Sequence, residues 1–395
     1  MFWPSTLAAA ALAFATTFSA TSAAVCDEVA NALDLDNIVP LGGIDTTIEL
    51  ASSITTLECP ANEEDEELGE ILVSGGKLTI SSDNTVRFVN VRFTVEDGAE
   101  LIFDMPKTKF GPNDGYSENA PGYMLNVTEG GSATFMGKFG GWQVENVRSM
   151  FYNSGSIEFK GNANFQSNGN VFRSNAGTLK FRGEAWFKNN YYLAIDNDGP
   201  DAFVRFSKTV TFQDNGGSFD GGSGCSVWNS EGTVIFRDDA YFKDHGCSEG
   251  AAVQNGGKMR FYGKARFTDN TNFNSRGGGV VNDDGTLVFK AAVQFTNNEA
   301  EIGGGIAVTG GEVTFEKAVK FDSNVATDNG GAFAVTVGGE FDSDPTPGSL
   351  TFEKPSVVRY TGNEAPVNAC TLAYVEDGTT LVGFDVDDVC LENTG

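Results

Sequence analysis

Hydrophobic positions along this chain alternate with polar ones instead of recurring at helical spacing. In Phe261-Tyr262-Gly263-Lys264-Ala265-Arg266-Phe267, apolar or small residues hold one parity and long polar residues the other. That period of two predicts strands with one buried face. The alternation is organised by a phrase: Gly (Ala at 99 and 202), an apolar residue two on, then Phe (Ile at 80) two further. It begins eleven times, at Gly76, Ala99, Gly131, Gly155, Gly177, Ala202, Gly232, Gly257, Gly285, Gly311 and Gly348. The intervals run from 22 to 37 residues. From Gly155 onward a second Phe follows, and three residues after it an Asn, as in Phe181 to Asn190 and Phe261 to Asn270.

Short strands repeating at this period without intervening helices cannot make an ordinary parallel sheet, which needs long crossovers. They can stack as turns of a solenoid. The expectation is therefore an all-β, right-handed parallel β-helix of about eleven coils with terminal caps. Equivalent side chains should form columns about 4.8 Å apart, and Phe at that spacing can stack as offset rings. Seventeen of the 32 Phe occupy motif positions, which assigns them to the core and not to a cofactor pocket. The Asn at 168, 190, 215, 270, 298, 324 and 363 should form a ladder that satisfies backbone groups at an inward turn, with His245 in place of Asn in one coil.

The chain resembles right-handed parallel β-helices of the pectin-lyase-like class. The F-x-x-N element, as in Phe295-Thr296-Asn297-Asn298 and Phe321-Asp322-Ser323-Asn324, is followed by Gly-Gly-apolar at Gly304-Gly305-Ile306 and Gly330-Gly331-Ala332. In this it is similar to the repeats of polymorphic outer membrane proteins, over roughly residues 155–365. The resemblance implies an exposed, adhesive passenger. Without a barrel segment, membrane insertion is not expected.

The uncharged residues 1–24, with an apolar run from Leu7 to Phe18 and small residues before position 25, read as a signal peptide. Residues 25–70 and 366–395 are then the caps and 71–365 the β-helix. Six Cys at 26, 59, 225, 247, 370 and 390 suit disulfides better than a metal site. Fifteen pairings are open; proximity favours Cys26 with Cys59, Cys225 with Cys247 and Cys370 with Cys390. Asn126-Val127-Thr128 is a glycosylation sequon.

The net charge of −28 disfavours nucleic acid as a partner. The run Glu63-Glu64-Asp65-Glu66-Glu67 lacks calcium-loop spacing and reads as a solvated loop. No cofactor or metal is expected. Since enzymes share the β-helix, the single His, His245, with Asp238, Asp239 and Asp244 is the candidate catalytic group, against the plainer reading of a ladder residue. The outward parity carries scarce positive charge: Lys160, Arg182, Arg237 and Arg260 beside the first Phe, and Trp186, Tyr241 and Arg266 before the second. Stacked, these predict a basic, aromatic stripe for a polyanionic extracellular polysaccharide or cell-surface component, against the alternative of an ordinary soluble strand surface. The expected function is a secreted, non-catalytic structural or adhesive protein; the alternative is a polysaccharide-active lyase, hydrolase or epimerase.

Overall fold

A computed structural model describes residues 16–18, 24–25, 46–50, 56–58, 69–89, 91–111, 123–142, 149–216, 226–247, 252–272, 275–337, 347–353, 358–366, 372–384 and 389–391. Among them every regular element is a strand. Strands from successive coils pair in parallel into three long sheets of 14, 13 and 13 strands, here A, B and C, with a four-stranded sheet D beside them. The fold is the expected parallel β-helix, of about nine turns against the eleven anticipated. The uniform part of the stack matches the smaller number: ten Phe from Phe103 to Phe352 give nine ring-on-ring steps. Other strands extend the sheets at both ends, including Thr46–Leu50 and Thr56–Glu58 from the segment read as an N-terminal cap and Ala373–Val375 from the C-terminal one.

Each repeat of the phrase becomes one strand of sheet A, and the register follows the sequence alignment residue for residue. Phe159 pairs with Phe181, Phe181 with Phe206, Phe236 with Phe261. The second Phe opens a matching column in sheet B, from Phe165 through Phe187, Phe212 and Phe242 to Phe321, with centroid steps of 4.7 to 5.2 Å. Rings in different columns meet edge to face, as Phe206 and Phe212 do at 84°. Stacking within columns and T-contacts between them are the two favourable arrangements of an aromatic quadrupole.

Why the phrase begins with Gly is a matter of approach. A Cβ on Gly257 would lie 2.3 Å from the Gly232 carbonyl oxygen. The strand entering sheet A therefore rests on the backbone of the coil beneath it, and a side chain there would separate the rungs.

At the exit from sheet B the chain bends inward through two residues with distinct tasks. Ser167, Asn189, Asp214, Asp244, Asp269, Asn297 and Ser323 all adopt φ between 52° and 60°, the left-handed conformation that Asn, Asp and Ser tolerate better than bulkier residues. Next comes the buried ladder residue. Asn298 Nδ2 donates to Asn324 Oδ1 at 2.9 Å and to the Phe267 carbonyl at 3.0 Å, and its backbone N–H donates to Asn324 Oδ1. The same three bonds recur from Asn168 and Asn190.

A second ladder closes the other end of sheet C. Asn197, Asn229, Asn255 and Asn282 are buried and pass Nδ2-to-Oδ1 bonds of 2.7 to 2.8 Å up the stack. The sequence marks it with an Asn two to five residues before the phrase's first residue, a signal obscured by that variable spacing and because Ser174 replaces Asn in one coil and Val308 and Val335 in later ones.

Candidate functional site, the outer face of sheet B

Side chains that alternate outward along sheet B line up by register. One column runs Arg87, Lys109, Gly140, Asn164, Trp186, Thr211. It continues through Tyr241, Arg266, Gln294, Lys320 and Arg359. None of these eleven residues is acidic, on a chain with 54 Asp and Glu against 26 Lys and Arg. The neighbouring column holds Gln166, Lys188, Gln213, Lys243, Thr268 and Thr296 before reaching its first carboxylate at Asp322. Lys320 holds the Asp322 carboxyl below its ordinary range by hydrogen bonding to it.

Three shallow hollows of about 300, 300 and 330 Å³ open on this face. The first lies among Arg87, Lys107, Lys109 and Gly140; the second among Asn164, Trp186, Lys188 and Gln213; the third among Lys264, Arg266, Lys320 and Arg359. The face is thus cationic at both ends, with amides and an exposed indole between them. Arg266 lies 5.6 Å over the Tyr241 ring, which stiffens both.

The seven residues expected to form one stripe divide among three places. Trp186, Tyr241 and Arg266 share the sheet B column just described. Lys160, Arg182 and Arg237 follow the sheet A strands at the corner between A and B, where their N–H groups bond the carbonyls of Phe135, Phe159 and Phe206. Arg260 faces outward on sheet A, in a column with Arg205 and Ile235. Parity holds only within a strand, and the turn between the two Phe strands rotates the chain, so residues beside the first Phe and before the second face different directions. The corner cations are also largely engaged: Arg182 pairs with Glu158 at 2.6 Å, and Arg237 lies 4.2 Å over the Tyr262 ring.

His245 takes the ladder position. The Asn215 backbone N–H reaches its Nδ1 at 3.0 Å, where other coils present an Asn Oδ1, and Ser226 Oγ lies 2.9 Å from Nε2. The Asn215 carbonyl oxygen lies 3.1 Å from the same Nδ1, so that nitrogen accepts from the N–H or donates to the carbonyl according to the tautomer. Burial pushes its pKa down to about 4, against partial compensation from the Asn215 hydrogen bond and the Asp244 charge. Asp244 is the left-handed residue before the ladder, and Asp238 and Asp239 lie at the opposite end of the strand Ala240–Lys243. Asp239 accepts from the Lys264 backbone N–H and from Tyr241. These four residues do not converge on one point: the strand between them spans roughly 13 Å.

Sequence reasoning missed one acid group. On the outer side of sheet C, Asp196 Oδ2 lies 3.5 Å from Arg173 Nε, and Asp198 lies 3.8 Å from the same guanidinium. Burial raises the Asp196 pKa to about 6, with Arg173 opposing and Asp198 reinforcing the rise. Each was hidden because the pair straddles a strand end, outside the repeated phrase.

Asn126 points outward on sheet C between Thr94 and Tyr152 and is half-buried. Cys247 is buried in sheet D and disulfide-bonded. Cys26, Cys59, Cys225 and Cys370, and the side chain of Cys390, lie outside the described residues, as does the acidic run 63–67. Among the described residues no group of three or more His, Cys, Asp or Glu is placed to hold a metal ion. Compared with protein-family models, with curated proteins and with solved structures, the chain matches none.

Proposed function

We propose that this chain is a secreted, non-catalytic β-helix that binds extended, polyanionic extracellular polysaccharide along the outer face of sheet B. The observation that carries the reading is the acid-free column of eleven residues on a chain of net charge −28. Five of its eleven residues, Arg87, Lys109, Arg266, Lys320 and Arg359, are cationic, although acids outnumber bases two to one along the chain. A linear polymer lying along the solenoid axis would meet Arg or Lys at each end and stack a sugar face on Trp186 between them. The leader at residues 1–24, the three cysteine pairs and a glycan on Asn126 belong to this reading, as does the adhesive role implied by the F-x-x-N and Gly-Gly-apolar repeats.

Retention on immobilised uronans and sulfated glycans tests it. Binding should weaken with salt and should fall about tenfold or more in Trp186→Ala and Arg266→Ala, each with unchanged thermal stability. Retention that ignores both substitutions would move the ligand to another face.

A catalytic reading has one observation in its favour, the Asp196 and Asp198 pair about Arg173, since a carboxyl raised to about 6 suits a general acid beside an ionised partner. Release of reducing ends or unsaturated products by the wild type, lost in Asp196→Asn, would establish that reading in place of the first.

A further inference from the structure

We propose that the hollow lined by Arg87, Lys107 and Lys109, with Lys138 paired to Lys107 beside it, is an anion subsite for the sulfate half-esters of a sulfated polysaccharide. The site deepens the sheet B reading by naming which polyanion fits, and its test with a free ion does not depend on that reading.

Folding brings these four cations together by register. Lys107 pairs with Lys138, Lys109 with Arg87, and Lys107 and Lys109 are two apart on one outward face. Like charges directly opposed across strands repel. Several other cations of the solenoid lie beside carboxylates: Lys77 with Glu100, Arg173 with Asp196, Lys290 with Glu316, Lys320 with Asp322. Among the described residues no carboxylate is within ion-pairing distance of any of the four. The Lys107 ammonium is held below its ordinary pKa by burial and by the charges of Lys109 and Lys138, so the repulsion is felt where the hollow lies.

The hollow is also open by construction. Gly140 stands where the next coils carry Asn164 and Trp186, and a Cβ added there would lie 3.4 Å from Lys107 Cε and 3.9 Å from Lys109 Cγ. Its lack of a side chain leaves a floor of about 300 Å³ between the lysines. Arg87 donates Nε to the Gly111 carbonyl, which fixes the guanidinium against the rim with its other N–H donors unspent.

The charge density selects the ligand. The four cations span three coils, roughly 10 Å along the axis. A uronan offers one carboxylate per sugar over that length, whereas a multiply sulfated chain offers several permanently ionised groups, each with oxygens that take separate donors. Lysines supply point charges without demanding the planar, bidentate geometry that suits carboxylates.

Two measurements on the full chain test this. Thermal unfolding in sodium sulfate and in sodium chloride at equal ionic strength should show a larger gain in Tm from sulfate for the wild type than for the double variant Lys107→Gln, Lys138→Gln, which keeps only the general stabilisation that sulfate gives any folded chain. In chloride alone that variant should unfold at a higher temperature than the wild type, because repulsion is relieved. Calorimetric titration with an oligosaccharide of sulfated galactan should then give at least a tenfold weaker Kd for the variant, and the desulfated oligosaccharide should bind both proteins equally weakly. Equal sulfate stabilisation in both proteins, or equal affinity for the sulfated oligosaccharide, would overturn the subsite. If Trp186→Ala still weakens that affinity while the lysine variant does not, the trough survives and the subsite falls. An excess of sulfate stabilisation in the wild type over the variant, without binding of either oligosaccharide, supports an anion site and removes the polysaccharide.

Discussion

His245 shows how a single substitution within a repeat acquires a pH dependence that its neighbours lack. Its pKa of about 4 in the folded chain lies below the ordinary value near 6.5, so the unfolded chain binds the proton more readily. Stability is then fully present above about pH 6.5 and declines as pH falls toward 4, by about 3 kcal/mol for a shift of this size. His245→Asn, which restores the amide of the other coils, should fold and should flatten the stability profile in that window, measured by urea unfolding at pH 7 and pH 4.5. Asp196 has the opposite sign, because its raised pKa makes the folded chain the better proton acceptor and its stabilising effect fades as pH rises through about 6. Asp196→Asn should therefore stabilise the chain at pH 8 and make little difference at pH 4. Only the first of these residues was legible in the sequence, where His245 interrupts an aligned run of Asn; Asp196 belongs to no repeat and is perturbed by burial that no pattern encodes.

Between residue and molecule stands the coil, whose strands share columns with the coils above and below. The Gly and Phe phrases yielded the sheet A register because each position has one demand that the residue type satisfies: close approach for Gly257, ring stacking for Phe261. The corners were harder to read. Two consecutive residues, one left-handed and one buried, carry the bend, and the left-handed one varies among Ser, Asn and Asp, so only the second residue, Asn in every coil but that of His245, stood out. For the same reason the cationic positions were found but not their faces, since a turn's rotation is not written in strand parity. The ladder makes a quantitative expectation. Asn298→Ala removes the acceptor used by Asn270 Nδ2 and by the Asn270 backbone N–H, and the donor to the Phe267 carbonyl. Two or three buried groups left without partners at about 1 to 3 kcal/mol each predict a loss of about 2 to 9 kcal/mol, measurable as a drop in the urea midpoint. Ser323→Ala, at the half-buried and left-handed neighbour, should cost far less, about 1 kcal/mol.

Viewed along its axis, the whole solenoid presents a long face with cationic ends. From Lys109 to Arg266 the column advances six coils, roughly 29 Å. A ligand long enough to reach both ends binds the second intramolecularly, at an effective concentration set by its stiffness. Affinity for a graded series of sulfated oligosaccharides should thus rise abruptly once the chain spans that distance, and mixing two short fragments should not reproduce it. The strands also lie across the axis, with each rung held to the next by parallel ladder bonds. A tether pulled from its two ends would load those rungs one after another like the teeth of a zipper and not all at once in shear. Each tooth that opens frees a coil of about 27 residues, roughly 90 Å of contour, before the next takes the load. Fastened at both ends, such a rod would behave as a shock absorber, lengthening stepwise under strain while its remaining coils stay folded.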